Sequence, residues 1–414
     1  MTHLRKRYPT KNMFELNNNQ RKYFGLEPVN NSWNKVLFKG DKYRSDSILY
    51  FEGLTIKKHI ISTDKEYREL QYNEQTDNRE FILPKTKKGK PKKLTPSVLD
   101  SKKPIGVYLI VNAKGNLIIG NYTSQTTFYS RDWEFQNVDS DLEKIIIEFI
   151  NNSTTDHLIQ IEEFSQAKRK NVKYKSGDFF AFKLNRKEYG FGRILFDLNK
   201  ARKKKLLPEN HGLNLLMGTP LLIKLYAYKS DNKSVDIELI KNQKSLPSDF
   251  IMDNIIFYGE WEIIGNLPLE IKEFEFPISY GSRIDSTPNT FLQWGLIHKE
   301  LPKKKFNKYI TAINEKLPEK NASRYLQNPY GYYGIGFRSK FNTHDINDTI
   351  ANNGDFDFTK SERYNLDWDL RNPKNNKIRV ELMREFGLDP TKNYEENCKI
   401  TGTKNIFELI EEIK

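Results

Sequence analysis

A short aromatic and glycine-rich stretch, SGDFFAFKLNRKEYGFGRILFD at residues 176–197, limits the folds open to this chain more than any other feature. Phe180, Phe182 and Leu184 are two residues apart, so an extended chain places all three on one side. The polar residues 185–188 are typical of a turn, and the apolar pattern resumes after them. This pattern predicts a β-hairpin.

Two glycines flank Phe191 in the second predicted strand of this hairpin. Gly190 and Gly192 lie on the same side of the predicted strand. Glycine inside a strand lowers stability and marks a bend, a bulge or the close approach of another group. A bent aromatic hairpin favours a small barrel or a strongly curled sheet. Two interpretations stay open: the glycines are structural, or their side leaves room for a partner.

Changes in composition divide the 414-residue chain into three predicted domains, and the predicted fold class is α+β. Residues 1–165 mix predicted helices and strands. Residues 166–301 predict a mostly antiparallel β module, and residues 302–414 predict a mainly helical and irregular region. The charged connector AKRKNVKYK, residues 167–175, predicts a domain boundary.

Three patterns in the first region predict individual elements. Thr63 and Glu66 have the capping-box spacing, which predicts a helix through EYRELQY. Residues 106–122 contain two apolar runs around a turn, which predicts a hairpin. Ser140 and Glu143 repeat the capping-box spacing and predict a helix through DLEKIIIEFINN.

Five patterns in the rest of the chain predict further elements. Residues 219–240, TPLLIKLYAYKSDNKSVDIELI, predict a second hairpin that turns at the polar SDNK. Residues 302–318 have helical spacing between two prolines, whereas the Asn/Asp-rich segment 338–376 predicts a loop. Residues 377–387 predict a helix closed by its final glycine, and residues 405–414 predict a helix with one apolar face.

The formal net charge of +14 predicts an anionic partner. Lysine runs lie beside aromatic residues, and that combination neutralises phosphates and stacks on bases. Solvated surface charge is the alternative interpretation. The predicted nucleic-acid contacts are Lys85, Lys87, Lys88, Lys90, Lys92 and Lys93.

No motif predicts catalysis. The six histidines have no metal-ligand spacing, and neither GxSxG nor GxxxxGK[ST] occurs. We therefore expect no catalytic residue, no metal site and no cofactor, although the sequence leaves enzymatic activity open. The single cysteine, Cys398, excludes an internal disulfide. With no apolar leader and no membrane-length apolar run, we expect a cytoplasmic protein without a membrane partner.

Four blocks in the middle region resemble the immunity protein 26 family of polymorphic-toxin systems. They are GDFFAFKL, EYGFGRIL, WEIIGNLPLE and FLQWGLIHKEL, and they occur in this order. The resemblance covers about residues 166–301. It implies a non-catalytic protein that binds and neutralises a cognate toxin in the cell that produces it. A basic protein of this kind predicts a toxin with an acidic face.

The resemblance also implies that the module carries a binding face on a rigid scaffold. Tyr189, Arg193 and Trp294 belong to the residue types enriched at interface hot spots. Asp178 is expected to bond nearby backbone at the strand entry, and Trp261 is expected in the core. The full set of predicted binding residues is Asp178, Tyr189, Gly190, Phe191, Gly192, Arg193 and Trp294.

Two other functions remain as alternatives. The lysine runs are compatible with a basic nucleic-acid-binding defence or repair protein. Labels within the resembled family also mention a phosphotriesterase, which implies a metal-dependent hydrolase. The lack of clustered histidines argues against that chemistry, since hydrolysis of this kind rests on bridged metals.

Overall fold

The chain divides into two compact units, residues 1–171 and 172–414, in a computed structural model. The division falls within the charged connector at 167–175. The structure describes residues 14–84, 89–131, 141–216, 218–282, 289–302, 304–305, 339–361 and 369–413. The predicted helix at 302–318 lies almost entirely outside these residues. The three predicted domains stay a prediction.

The first unit is built on one antiparallel sheet of nine strands in the order β1-β2-β3-β4-β7-β8-β9, with β5 and β6 attached beside β4. Its strands are β1 (Asn34–Phe38), β2 (Ser47–Glu52), β3 (Thr55–Ser62), β4 (Glu66–Asp77), β5 (Phe81–Ile82), β6 (Lys92–Lys93), β7 (Ile105–Asn112), β8 (Leu117–Asn121) and β9 (Thr126–Arg131). Its helices are α1 (Asn18–Lys22), α2 (Pro96–Asp100), α3 (Leu142–Asn151) and α4 (His157–Ser165).

Both faces of this sheet are buried at β2, where successive side chains point to opposite sides. On β2, Ile48 and Tyr50 join the cluster under α3 and α4, whereas Leu49 and Phe51 join a second cluster around Leu99 of α2. A sheet covered on both faces accounts for the continuous apolar sequence of β2.

The predicted helix through EYRELQY is wrong, because these residues form β4. The Thr63 hydroxyl accepts hydrogen bonds from the backbone N–H groups of Lys65 and Glu66, and so closes a turn between β3 and β4. Pairing with β3 on one side and β7 on the other satisfies the backbone of β4. Tertiary pairing therefore overrides the local capping signal.

The other two predictions in the first unit are confirmed. Strands β7 and β8 form the predicted hairpin. Helix α3 forms as predicted, although its N-cap is Asp141, whose carboxylate accepts from the Glu143 N–H at 3.0 Å.

The second unit combines two antiparallel sheets with helices, so the predicted α+β class is confirmed. Its strands are β10 (Asp178–Lys183), β11 (Tyr189–Asp197), β12 (Pro220–Ser230), β13 (Asp249–Met252), β14 (Glu262–Asn266), β15 (Ile278–Ser282), β16 (Asn289–Trp294) and β17 (Ile297–Pro302). Its helices are α5 (Leu198–Lys203), α6 (Ile237–Lys241), α7 (Asn254–Phe257), α8 (Ser339–Ala351), α9 (Asn376–Glu385), α10 (Tyr394–Thr401) and α11 (Ile406–Ile413).

The hairpin predicted at 176–197 is confirmed as β10 and β11. It lies in a sheet of order β13-β12-β11-β10-β14, and the other sheet has the order β15-β16-β17. The described strands form no closed barrel. The register between β11 and β12 shifts at Gly190/Gly192 and again at Ile194/Phe196, and such bulges bend a strand.

The second predicted hairpin, residues 219–240, is half correct. Its first strand is β12, but the segment after the turn forms helix α6 instead of a strand. The Asp236 carboxylate accepts from the Glu238 N–H at 3.0 Å and caps this helix. Strand β12 pairs with β11 and β13, so both its edges are already occupied.

Helices after residue 338 complete the core of the second unit. Ile346 of α8 lies in the cluster that contains Phe180 and Trp261. Ile406, Leu409 and Ile410 of α11 lie in the cluster that contains Leu195 and Phe196 of β11. These later residues are therefore part of the packing of the β module.

Two predictions for this late region are confirmed and one is wrong. Helix α9 ends before Gly387, which has the positive φ of +80° that favours glycine. Helix α11 buries one apolar face, as predicted. The loop predicted over 338–376 is interrupted by α8, which has a polar sequence but packs Ile346 and Ile350 against the core. Among the described residues, no helix combines the length and apolarity that a membrane span requires.

Each unit buries a histidine whose pKa lies far below the ordinary value of about 6.5. His59 contacts the Ser47 hydroxyl at 2.9 Å, and burial lowers its pKa to about 4. His211 bonds the Leu296 carbonyl at 2.8 Å, and burial also lowers its pKa to about 4. Both rings are therefore neutral in the folded protein at neutral pH.

The fold should consequently lose stability as the pH falls from about 6.5 towards 4, because the unfolded chain takes up protons on these rings first. We expect each histidine to lower the free energy of unfolding by about 2 kcal/mol between pH 7 and pH 5. Thermal unfolding of wild type, His59→Gln and His211→Gln at both pH values measures this. Each variant should lose part of the pH dependence, whereas His344→Gln, at an exposed ring, should keep all of it. Equal pH dependence in all four proteins would contradict the assignment.

Candidate functional site

The hairpin β10–β11 carries six of the seven residues predicted for partner binding, and most of them lie inside the protein. Asp178, Gly190, Phe191, Gly192 and Arg193 are buried, and they contact other parts of the chain. Tyr189 is half-buried beside the hairpin turn, whereas Arg193 lies in the middle of β11, opposite Phe179 near the start of β10. The two ends of the hairpin therefore have different roles.

Arg193 is fully buried, and its guanidinium binds three separate segments of the chain. Its Nε–H donates to the Gly177 carbonyl at 3.3 Å, and one Nη2–H donates to the Pro268 carbonyl at 2.9 Å. The other Nη2–H donates to Leu267, and Nη1 forms a close ion pair with Glu273. Arg193 is thus an internal anchor instead of the predicted docking residue.

Glu273 is the centre of this buried charge cluster. Lys224 of β12 contacts the same carboxylate at 3.1 Å. Burial raises the pKa of Glu273, but the Glu270 N–H together with Lys224 and Arg193 outweighs burial and leaves the pKa below its ordinary value. The Arg193 guanidinium also lies 4.5 Å from the centre of the Phe179 ring. Two cations therefore hold one buried carboxylate, and the Phe179 ring packs against one of these cations.

The cluster fixes the loop of residues 267–273 at both ends. Arg193 binds the carbonyls of Leu267 and Pro268 at its start and the carboxylate of Glu273 at its end. The Glu273 carboxylate also accepts from the Glu270 N–H at 2.8 Å. This buried arrangement leaves little freedom for the loop between those points.

Asp178 has the role that the sequence predicted. Its carboxylate accepts from the Lys175 N–H at 2.8 Å and from the Asn266 side-chain amide at 2.8 Å. Burial raises its pKa above the ordinary value. Asp178 therefore joins the entry of β10 to the end of the neighbouring strand β14.

The space beside the two glycines is filled by aromatic rings. A Cβ on Gly190 would lie 2.8 Å from Cζ of Phe182, and a Cβ on Gly192 would lie 2.4 Å from Cζ of Phe180. Both rings in turn stack on Trp261, at centroid distances of 4.6 and 4.8 Å. The glycines therefore have the structural role, and Trp261 lies in the core as predicted.

The accessible end of the hairpin collects positive and aromatic side chains from three strands, β10, β11 and β12, and from the turns beside them. Lys183 pairs with Tyr189, and Gly190 pairs with Lys229. We call this surface the basic tip, and it comprises Lys183, Arg186, Lys187, Lys229 and Lys233 together with the half-exposed rings of Tyr189 and Tyr228. The same region carries three carboxylates, Glu188, Asp231 and Glu262, so cations predominate.

The electrostatics of the basic tip favour an added negative charge. Burial first, and then the charge of Lys233, lowers the pKa of Lys183 to about 8. Lys229 is paired with Glu188 at 3.0 Å, and Lys233 with Glu262 at 2.6 Å. A carboxylate brought near Lys183 would therefore relieve repulsion between like charges.

Trp294 does not belong to this surface. It lies on β16 in the other sheet, half-buried, with its ring 5.2 Å from the ring of Tyr394. Tyr394 in turn accepts a hydrogen bond from the Leu296 N–H at 2.9 Å. Trp294 thus fastens α10 to its sheet.

Sequence reasoning missed the partners of Arg193. Lys224 lies in the apolar run LLIKLY, and a cation inside a buried strand requires a nearby carboxylate. The sequence contained that signal, but Glu273 lies 49 residues from Lys224, and no motif around it identifies it as the partner.

Across the described segments, no group of three or more His, Cys, Asp or Glu side chains is arranged to hold a metal ion.

Residues 175–289 match the family model of immunity protein 26, as the resemblance predicted. The matched segment runs from the entry of β10 into β16 and so contains both the Arg193 cluster and the basic tip. This match supports a role in immunity to a toxin. No curated protein and no solved structure matches the chain.

The Arg193 cluster predicts a large effect on stability. Replacing Arg193 with methionine keeps an unbranched apolar stem but removes every donor, leaving Glu273 and three carbonyls without this partner. We expect the free energy of unfolding of the second unit to fall by about 3–5 kcal/mol. Urea denaturation of the full chain, followed by circular dichroism, measures the change. Lys187→Met, at an exposed position, is the control and should stay within about 0.5 kcal/mol of wild type. Coincident unfolding curves for the two variants would show that the cluster contributes nothing.

Proposed function

We propose that this chain is a non-catalytic, cytoplasmic immunity-type protein that binds and neutralises a protein toxin. The match of residues 175–289 to immunity protein 26 carries the proposal. The geometry of that segment supports it, because a bent hairpin held by buried charges presents a rigid surface at its outer end. Rigid surfaces bind with a smaller loss of conformational entropy.

The basic tip is the surface that we assign to the toxin. The aromatic ring of Tyr228 packs on Phe191 at 5.6 Å, so it is held in place by the core while part of it stays accessible. Tyr189 is likewise half-buried. Partly exposed tyrosines on a rigid strand offer large contact area with few free rotations, which is why tyrosine is enriched at binding hot spots.

The charge of the basic tip favours an acidic face on the toxin. Lys183 ends β10, and Arg186 and Lys187 lie in the hairpin turn that follows it. The net charge of +14 adds long-range attraction, which raises association rates for an anionic partner. Contact with a carboxylate should raise the pKa of Lys183 from about 8, so complex formation near pH 8 should take up a fraction of a proton per complex.

The toxin-binding surface is tested with the full chain and the product of an adjacent toxin gene. We expect Lys187→Glu and Tyr189→Ala each to weaken binding by about tenfold or more, because they remove a favourable charge and an aromatic contact. Isothermal titration calorimetry measures the dissociation constants. Lys377→Glu changes the same charge at an exposed position on α9 and should bind like wild type.

The results separate four cases. Weakening by the two tip variants alone supports the assignment. Equal weakening by Lys377→Glu would show that the change in net charge alone accounts for the weaker binding. Wild-type binding by all three variants would place the toxin on another surface, and failure of the wild-type chain to bind any such toxin would reject the immunity function.

Nucleic-acid binding is a second candidate, and the placement of three lysines favours it. Lys90 and Lys93 are exposed and Lys92 is half-buried, on or beside the short strand β6. Lys85, Lys87 and Lys88 lie outside the described residues. The cluster belongs to the first unit, apart from the segment that matches immunity protein 26.

Salt dependence tests this second candidate. If the chain binds DNA through phosphates, the affinity should fall steeply with salt, and replacing Lys90, Lys92 and Lys93 with glutamine should flatten the logarithmic slope by about 2–3. Fluorescence anisotropy with a labelled oligonucleotide measures the slope. A matched triple variant at Lys168, Lys170 and Lys173, all exposed in the connector, is the control. No binding at low salt, or the same slope in both triple variants, would reject a specific role for the β6 lysines.

A further inference from the structure

We propose that two copies of this chain associate through strand β1, which pairs in antiparallel orientation with β1 of the second copy. The proposal concerns the first unit and is independent of toxin binding. It rests on the position of β1 at the edge of the nine-stranded sheet and on the fit of the β1 side chains to their own two-fold copy.

Strand β1 is an exposed apolar edge. Among the described residues it pairs with β2 alone, so its outer backbone groups face away from the sheet. Val36 is 37% exposed and Leu37 is 58% exposed, and these neighbours point to opposite faces. The adjacent β2 is buried at five of its six positions. The burial that protects β2 therefore stops at β1.

The usual protections of an edge strand are weak here. Natural edge strands avoid further pairing with bulges, prolines or outward lysines. The pairing of β1 with β2 is uninterrupted from Asn34 to Phe38, without a register shift or a proline. Lys35 is engaged with Glu15 at 2.7 Å within the same unit. The edge is thus regular enough to accept another strand.

A two-fold axis restricts the register to self-paired positions, because residues opposite each other in an antiparallel pair share one face. Centring the pair on Lys35 places that cation against its own copy. Centring it on Leu37 places Lys35 against Lys39 of the second copy. Centring it on Val36 places Lys35 against Leu37 and Asn34 against Phe38, with no cations opposed. Side-chain complementarity therefore selects Val36 as the centre.

The total charge of the chain makes this association salt-dependent. Two copies of a chain with a net charge of +14 repel each other, and a seam of five residues buries a small area. We therefore expect a weak dimer that strengthens as salt screens the repulsion. This direction is the reverse of the one expected for nucleic-acid binding.

Cysteine cross-linking tests the register. The only native cysteine, Cys398, is buried, so an introduced surface cysteine reacts alone. In the Val36-centred pair the two copies of Val36 are directly opposite, at a separation that fits a disulfide. Under mild oxidation, Val36→Cys should give a covalent dimer rapidly. Tyr43→Cys, at a residue that is 82% exposed but off the strand, should remain monomeric.

Sedimentation velocity of the unmodified chain and of Val36→Lys completes the test. At high protein concentration and raised salt, wild type should show a dimer that dissociates on dilution, and Val36→Lys should weaken it about tenfold or more by opposing two lysines. Circular dichroism confirms that the variant is folded. A monomeric wild type, a dimer unaffected by Val36→Lys, or equal cross-linking of Val36→Cys and Tyr43→Cys would each overturn the proposal.

Discussion

The ion pair between Arg193 and Glu273 joins parts of the chain that no local signal connects. Arg193 lies in the middle of β11, Glu273 lies eighty residues later, and the guanidinium also holds carbonyls at residues 177, 267 and 268. Moving two charges out of water is costly, and only complete pairing with good geometry offsets that cost. The arrangement of the β module around residues 177 and 267–273 depends on that pairing.

The first unit contains a similar arrangement around Glu69 of β4. Its carboxylate accepts from Arg21 of α1 at 2.9 Å, from Lys58 of β3 and from the Tyr67 hydroxyl. Burial raises the pKa of Glu69, but the two cations outweigh it and keep the pKa below its ordinary value. A slip of β4 by one residue would carry this carboxylate to the other face of the sheet. The buried charges therefore help to specify the strand register in both units.

The immunity-family segment is embedded in packing that extends beyond its boundaries. Ile346 packs against the core under Trp261, and Ile406 and Leu409 pack against Phe196. The late helices bury apolar surface that a module ending at residue 289 would leave in water. This packing leaves the basic tip as an accessible end of the hairpin. A binding role at that tip is compatible with a core assembled from both the matched segment and the later helices.

Local patterns in the sequence were sufficient for the elements whose signals are carried by neighbouring residues. Alternating phenylalanines predicted β10, turn residues predicted the hairpin of β7 and β8, and Gly387 predicted the end of α9, because backbone geometry and side-chain direction are set by adjacent positions. The matched family segment could also be identified from short blocks. The role of Tyr189 in binding was predicted from residue type alone and stays a prediction.

Contacts between distant residues were decided only by the tertiary structure. The Thr63 signal predicted a helix, but pairing with β3 and β7 made a strand. Arg193 resembles a surface anchor in the sequence, yet Glu273 and Lys224 make it an internal one. The sequence left two interpretations of Gly190 and Gly192 open, and the rings of Phe180 and Phe182, which fill the space beside them, support the structural one. In each case the stabilising contact joins groups that are far apart along the chain, and a local sequence pattern contains only one of the two partners.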